Sequence, residues 1–507
     1  MRITEFSHHF RVDRLTARGS EICAKFTKEF FLPWKTEVVR GRMLRTMGKP
    51  FSAADATSVR RRFYRYHINA LKMFLEYVKN QGVPDQYVIK EVAPEPTWVE
   101  VELPIKEGWV AKDNQVPYID YLIAEKPRNK LLPLQTGKGK TFCALQAASI
   151  LGRRVGVFLL SRYVSKWKSD VIETYDIDEK DIVVVEGSDD LRKILKKAKE
   201  GKLTAKVIIF SISTLSRWFD MYKHMGDGIL TTGYASTPET WFQDLGIGTR
   251  IIDEAHSHYH AFFILDMYTH VATALSLTAS LITTDPFLRK MYHIQYPLED
   301  RCRVEALHRY TKAEAVHYVF KNVDKIRTTE YGNPMYSHNA FEASIIRQPE
   351  VLENYFKLID SVFARSYLAH RMPGKRAAIF CSSIDMCTRL TEYLKKKYPH
   401  LDIRRYVGED PYENAVDADV RVTTIGSCGT GIDIKKLVSV ILTQAISSIQ
   451  ANIQVLGRLR EIVGEDVWFH FFTADNIDKH ANYYAEKRDM LKERAALMVD
   501  YHYPNML

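Results

Sequence analysis

The chain has 507 residues, 46% of them hydrophobic and 12% aromatic, which excludes an extended or disordered protein and leaves room for roughly three domains of ordinary size. No apolar run approaches membrane-spanning length, Met1–Arg11 already carries charges and two histidines, and the six cysteines (Cys23, Cys143, Cys302, Cys381, Cys387, Cys428) lack the paired spacing of a zinc or iron–sulfur site, so a soluble, cytoplasmic protein is expected. The net charge of +10 suggests a polyanionic partner, and the surplus is local: nine Lys/Arg (Lys35, Arg40, Arg42, Arg45, Lys49, Arg60, Arg61, Arg62, Arg65) stand against two acids (Glu37, Asp55) between Lys35 and His67.

Residues 1–95 hold no nucleotide motif and read as a small basic α+β module. Phe10–Leu15 alternates like a strand, Glu21–Phe31 and Phe63–Val78 show helical spacing, and Tyr87-Val88-Ile89 reads as a closing strand. Within it, Arg60, Arg61, Arg62 and Arg65 interleave with Phe63, Tyr64 and Tyr66, the mixture that contacts phosphates and stacks on bases. The competing reading is a solvated face whose aromatics belong to the core. Ala93–Pro104 reads as a linker, and Gln115 or Tyr118 after it is placed to touch adenine.

Leu134–Thr141, LQTGKGKT, is the most specific stretch. In Thr136-Gly137-Lys138-Gly139-Lys140-Thr141 the glycines let successive backbone N–H groups face a phosphate, Lys140 reaches the outer phosphates, and the Thr141 hydroxyl can hold Mg²⁺. Its first position is Leu134 where the common pattern has glycine. From here strand and helix patterns alternate, which predicts parallel sheets with helices on both faces. Arg154–Leu160, Ile182–Val185 and Val207–Phe210 read as strands, Leu191–Lys206 as a Lys-rich helix. Ile251-Ile252 runs into Asp253-Glu254-Ala255-His256, a strand ending in paired carboxylates. One acid can hold Mg²⁺ through water and the other can polarise the water that attacks a γ-phosphate.

Together these motifs resemble those of superfamily 2 helicases with a DEAH-type second motif, and further members of that series follow in order. Ser276-Leu277-Thr278-Ala279-Ser280 resembles motif III, Ala377–Ser383 with the helix Asp385–Lys397 motif IV, and Tyr406-Val407-Gly408 its companion strand. Val422-Thr423-Thr424 with Gly429-Thr430-Gly431-Ile432-Asp433 resembles motif V, and Gln454-Val455-Leu456-Gly457-Arg458 motif VI. The resemblance covers roughly residues 115–460. It implies two tandem RecA-like parallel-sheet lobes with the small N-terminal α+β domain: 1–95 nucleic-acid module, 96–305 lobe 1, 306–475 lobe 2, and 476–507 a C-terminal helix near Asn482–Asp500.

Carried over by position, Lys140 and Thr141 with Asp253 bind Mg·ATP, Glu254 activates water, and Gln454, Arg458 and Arg460 with Gly431 and Asp433 complete the site. Ser161, Arg162, Thr214 and Thr424 face the nucleic-acid backbone, while His256, Thr278 and Ser280 couple the two sites. The second motif VI arginine usually stands seven residues after the glutamine, where this chain has Glu461, with Arg460 one earlier. The layout is most similar to bacteriophage recombination helicases of the UvsW type, which implies a monomer that remodels forks and Holliday-type junctions, tracking 3′ to 5′. An RNA helicase would share every motor motif, and the altered motif VI also admits an ATP-gated protein that grips junctions without translocating. Two stretches exceed a minimal motor, Asp220–Thr249 and Tyr310–Gln348, and either could hold parted strands at an aromatic edge.

Overall fold

The structure, a computed structural model, describes residues 1–39, 42–55, 63–135, 137–279, 281, 283, 285–304, 309–371, 373–428 and 434–507. They form two units, one of Met1–Thr36 and Arg45–Val304, the other of Glu37–Leu44 and Glu305–Leu507. Among the described residues, no helix is long and apolar enough to cross a membrane.

The chain opens with β1 (Arg2–Glu5), β2 (His9–Asp13), α1 (Ala17–Phe26), the two-stranded sheet of β3 (Trp34–Val39) and β4 (Arg42–Met47), whose residues 37–44 are counted with the second unit, then β5 (Ala53–Ala54), β6 (Tyr64–His67), α2 (Leu71–Asn80) and β7 (Ile89–Val92) of the first. Its five-stranded sheet has the order β5-β6-β2-β1-β7, antiparallel except for the β1–β7 pair. The helical spacing expected over Phe63–Val78 is divided: Tyr64–His67 is a strand and the helix starts at Leu71. The strand's two-residue period explains this. Tyr66, fully buried, points into a ring cluster with Phe10, Phe26, Phe31 and Phe74, with Tyr64 stacked beside it. Neither tyrosine is therefore available to stack on bases.

Arg65 and His67 point the other way, onto the parallel-sheet part of the same unit. Arg65 is only 2% exposed, pairs with Glu239 at 2.5 Å and donates to the Met267 carbonyl at 2.9 Å. Arg11 reaches the same carboxylate at 2.7 Å, and Tyr222 donates to it at 2.9 Å. Burial alone would raise the Glu239 pKa, but Arg65 and Arg11 outweigh it and hold the carboxyl below its ordinary value. Beside it, His67 lies 3.4 Å from Asp266, a fully buried carboxylate that also takes Arg250 and the Gln295 amide. Arg65 and His67 thus join the module to the parallel-sheet part and are not an exposed surface. Arg60, Arg61 and Arg62 lie outside the described residues. Glu239→Ala is expected to destabilise this docking by about 3–5 kcal/mol, because it leaves Arg65 buried without its partner. Denaturation with two spectroscopic probes would measure it. The contribution is present in full above the ordinary carboxyl pKa of 4.5 and is lost as pH falls through the lowered value.

Ala93–Pro104 is not a loose linker. Val99 and Val101 donate to the Gly246 and Gly152 carbonyls, Arg154 donates back to Val99, and Arg153 sits 4.3 Å over the Trp98 ring. The elements that follow are α3 (Val116–Ile123), β8 (Asn129–Pro133), α4 (Lys140–Leu151), β9 (Val155–Leu159), α5 (Val164–Thr174), β10 (Ile182–Val185), α6 (Ser188–Lys199), β11 (Val207–Ser211), α7 (Ile212–Met225), α8 (Trp241–Leu245), β12 (Thr249–Ile252), α9 (Tyr259–Asp266), β13 (Thr273–Thr278) and α10 (Pro286–Gln295). The six strands are all parallel, in the order β10-β11-β9-β12-β13-β8. Strands such as Val155–Leu159 and Val207–Ser211 are buried throughout, as continuous apolar runs in a helix-covered sheet must be. In α6, Asp189 and Asp190 in the first turn and Lys196, Lys197 and Lys199 in the last complement the helix dipole. The aromatics of Asp220–Thr249 are core: Trp241 and Tyr234 pack with Trp218 and Phe242 packs on Trp241, so these rings form no exposed aromatic edge.

The second unit contains β14 (Thr311–Tyr318), α11 (His338–Ile346), α12 (Pro349–Ser366), β15 (Arg376–Cys381), α13 (Ile384–Lys397), β16 (Ile403–Tyr406), α14 (Glu413–Val416), β17 (Val420–Thr424), α15 (Ile425–Cys428), β18 (Leu437–Leu442), α16 (Ile449–Leu456), β19 (Val467–Ala474), α17 (Asp478–Lys492) and β20 (Ala495–His502). Its seven strands are again all parallel, ordered β16-β17-β15-β18-β19-β14-β20. The expected C-terminal helix stops at Lys492, and the residues after it add an edge strand to the sheet. Ala495–His502 lacks a helical apolar face but matches β14 in register, and that pairing decides its state. The architecture is the expected class: two tandem RecA-like parallel-sheet lobes with a small α+β module at the N-terminus.

Candidate active site

In open parallel sheets, ligands bind at the C-terminal ends of the strands. In the first unit, β8 leads into the phosphate-loop stretch and α4 begins at Lys140. Gly137 and Gly139 have φ of +83° and +87°, the left-handed region that glycine adopts without strain. At Gly139 the requirement is doubled, because a Cβ there would stand 2.1 Å from Gln115 Nε2. Gln115 donates to the Lys138 carbonyl at 3.2 Å and accepts from the Lys112 backbone N–H at 3.1 Å. Its amide is therefore committed to the loop, and Tyr118, its rival for an adenine contact, is a core residue. Lys140 is buried at the first position of α4 and Thr141 is half-buried beside it, where the helix's free N–H groups emerge. Thr136 lies outside the described residues.

Two strands away, β12 ends at Ile252 and delivers Asp253. Its Oδ2 accepts from Trp167 Nε1 at 2.8 Å and its Oδ1 from the Glu254 backbone N–H at 2.9 Å, so both oxygens are oriented. Trp167, on α5, was visible in the sequence only as part of a Lys-Trp-Lys run; no local signal ties it to Asp253. Glu254 and His258 both adopt φ of +51°, a conformation that costs a side-chain-bearing residue about 1–2 kcal/mol and that clusters at functional sites. His256 Nδ1 lies in a hydrogen bond 2.8 Å from Thr278 Oγ1 and 3.4 Å from Glu254 Oε2, while Ala255 N–H donates to the Leu277 carbonyl at 2.9 Å. The DEAH segment is thus tied to the end of β13, the strand between it and β8. Burial pushes the His256 imidazole down to about 4, with Asp253 opposing and Lys140 adding to the shift, so the ring is neutral at neutral pH. Ser280 lies outside the described residues.

At the ends of the neighbouring strands β9 and β11, Ser161 Oγ is 2.7 Å from Ser211 Oγ and 3.3 Å from Ser213 Oγ. Ser161, Arg162, Ser213 and Arg217 are exposed along this edge. Thr214, expected there, is 4% exposed and turned into α7's packed face; the exposed hydroxyl is Ser213, one position earlier. A one-residue offset of this kind follows from where the helix starts.

In the second unit, β17 ends at Thr424, whose Oγ1 accepts from the Ser427 backbone N–H at 3.2 Å and lies 3.0 Å from Ser427 Oγ, capping the short α15. Gly431 and Asp433 lie outside the described residues. Gln454 is half-buried on α16, whose start is capped by Ser448. Arg458 follows the end of that helix and lies near Cys428, whose thiol burial raises and Arg458 pulls back. Arg460 is half-buried and Glu461 exposed, next to Tyr310.

No family model matches the chain, and no curated protein matches it. Solved structures do. S. cerevisiae Dbp5 bound to RNA and ADP BeF3 is 13% identical, over 77% of this chain and 89% of that one, with a TM-score of 0.49. The Pyrococcus furiosus Hef helicase domain is 16% identical over 74% and 98%, with a TM-score of 0.42. Mss116p bound to ssRNA and AMP-PNP is 16% identical over 78% and 74%, with a TM-score of 0.49. Identities of this size say nothing about substrate.

The first unit's corner combines left-handed glycines, a helix N-terminus, a buried ammonium, a hydroxyl and two carboxylates. This donor set suits a polyphosphate held with a hard divalent cation.

Proposed function

We propose that this chain is an ATP-dependent nucleic-acid helicase or translocase whose substrate is branched or forked DNA. The observation that carries the reading is the convergence of Gly137–Thr141, Asp253-Glu254-His256 and Thr278 at one edge of one parallel sheet. In this reading the loop N–H groups and Lys140 hold the β- and γ-phosphates, and Thr141 and Asp253 hold Mg²⁺. The ion supplies charge neutralisation at the phosphate oxygens. Glu254 orients the attacking water and takes its proton, held in position by the strained backbone and the His256 ring. His256 and Thr278 link hydrolysis to the strand ends that carry Ser161 and Ser213, where the nucleic-acid backbone is proposed to run with Arg162 and Arg217.

For the strand-parting edge, the second unit offers a small hairpin closed by the Thr329–Tyr336 bridge. Tyr331 stands at its tip, 97% exposed, with Met335 at 58%, while Tyr336 is held inside by His338 and His480 at 2.7 and 2.6 Å. The net charge of +10 and the basic segment that includes Arg60, Arg61 and Arg62 support a nucleic-acid partner. Neutralising these three arginines is expected to weaken DNA binding and to lower the slope of log affinity against log salt by about two to three; an unchanged slope would remove them from the interface. The deciding experiment is unwinding of forked, four-way and linear duplexes with and without ATP, beside ATPase stimulation by branched DNA and by structured RNA. Stronger stimulation by RNA would make it an RNA helicase, and an ATPase indifferent to either would leave only a junction-gripping protein.

A further inference from the structure

The far edge of the second unit's sheet carries a cluster that the motor reading does not use. β14 lies between β19 and β20, all parallel, with His317 opposite Thr473 on one side and His502 on the other. Paired residues of parallel strands share a face, and so do residues two apart. His317, His502, Asp500 and, just beyond β19, Asp475 therefore converge on one face at the C-terminal ends of three strands. His317 Nδ1 is 2.6 Å from Asp475 Oδ1, and His502 Nδ1 is 3.9 Å from Asp475 Oδ2, with the two imidazoles stacked at 4.6 Å. One ligand atom from each of His317, Asp475 and His502 lies within 4.8 Å of the others. Among the described residues, neither Asp475 nor Asp500 has a lysine or arginine within ion-pair distance; the histidines are their partners.

We propose that His317, Asp475 and His502 bind a divalent transition-metal ion of the zinc class. Donors of a tetrahedral site with bonds of about 2.0–2.1 Å stand roughly 3.4 Å apart. The observed 2.6 and 3.9 Å bracket that spacing, and the His502 side chain, 71% exposed, has room to make the adjustment. The second nitrogen of His317, Nε2, lies 3.3 Å from Asp500 Oδ1. A carboxylate in that place can accept the Nε2–H, so that a metal ion replaces the proton with which Nδ1 now bonds Asp475 Oδ1 at 2.6 Å, that proton being released to solvent. Tyr484 Oη, donating to Asp500 at 2.8 Å, fixes the carboxylate in turn. Two imidazoles and one carboxylate with a solvent-facing fourth position match zinc or cobalt rather than Mg²⁺ or Ca²⁺, which prefer all-oxygen sets. The ion would staple the last strand of the chain, an edge strand, to β14 and β19.

The test is titration of the chelator-treated full chain with Zn²⁺ by calorimetry and with Co²⁺ by visible absorption. One equivalent binding with a dissociation constant of about micromolar order, and a rise in thermal midpoint with Zn²⁺, are expected. His502→Ala and Asp475→Asn are each expected to weaken binding at least about tenfold, Asp500→Asn by about ten- to a hundredfold through the orientation of His317. His502→Cys, which keeps a ligand, is expected to restore binding, and His224→Ala, at an exposed histidine of the first unit, to change nothing. The absence of saturable binding would overturn the proposal, as would an affinity that His502→Ala leaves unmoved.

Discussion

A Lys140→Ala chain is expected to lose ATP hydrolysis by at least about two to three orders of magnitude, the usual effect of removing one preorganised charged donor from a site that stabilises developing negative charge. The reason is positional. Lys140 is the first residue of α4, buried, directly after Gly139 and three residues after Gly137, both in the left-handed backbone that glycine adopts without strain, and its ammonium adds a full charge to the helix's free N–H groups. Nucleic-acid binding without nucleotide should be largely kept, because the hydroxyl and arginine edge at Ser161, Arg162 and Ser213 lies on other strands. Steady-state ATPase beside fluorescence anisotropy of a labelled fork would measure both. Retained hydrolysis would sink the phosphate-loop reading.

Glu254→Gln is expected to cut hydrolysis by about 10²- to 10⁴-fold, the range of a general base, while leaving nucleotide affinity within a few fold. The amide keeps the size of the side chain and does not disturb Asp253, whose oxygens are held by Trp167 and by the backbone N–H at position 254. Such a chain should accumulate with ATP bound, read as slow release of a fluorescent nucleotide. A parallel loss of affinity and rate would instead place Glu254 among the groups that hold the nucleotide. Burial keeps His256 neutral down to about pH 4, so the His256–Thr278 link carries no titration near neutral pH, and an inflection of the rate between pH 6 and 8 belongs to another group.

How far the sequence could be read differs from residue to residue, for physical reasons. The strands Ile182–Val185 and Val207–Ser211 are almost where apolar runs put them, because a strand covered on both faces must be apolar at every position. Thr214 misled by one residue, since the start of α7 decides which hydroxyl faces out. The described end of the Arg60–His67 run, Tyr64–His67, departs further from its sequence reading. Its tyrosines and its Arg65 have the composition of a nucleic-acid surface, yet Glu239, far along the chain, supplies the countercharge that lets Arg65 be buried. Trp167, which orients Asp253, and Gln115, which braces the Gly137–Gly139 turn, do so through contacts distant in the chain.

By itself the sequence determined the corner proposed to hold a nucleotide: two glycines one residue apart, a lysine and a threonine at a helix start, and two acids at a strand end, each specified by chemistry within a few residues. Only the tertiary structure decided which charges face water, that Ala495–His502 is a strand, and that His317, Asp475, Asp500 and His502 meet. Those outcomes depend on strand register and on partners distant in the chain, which no local pattern encodes.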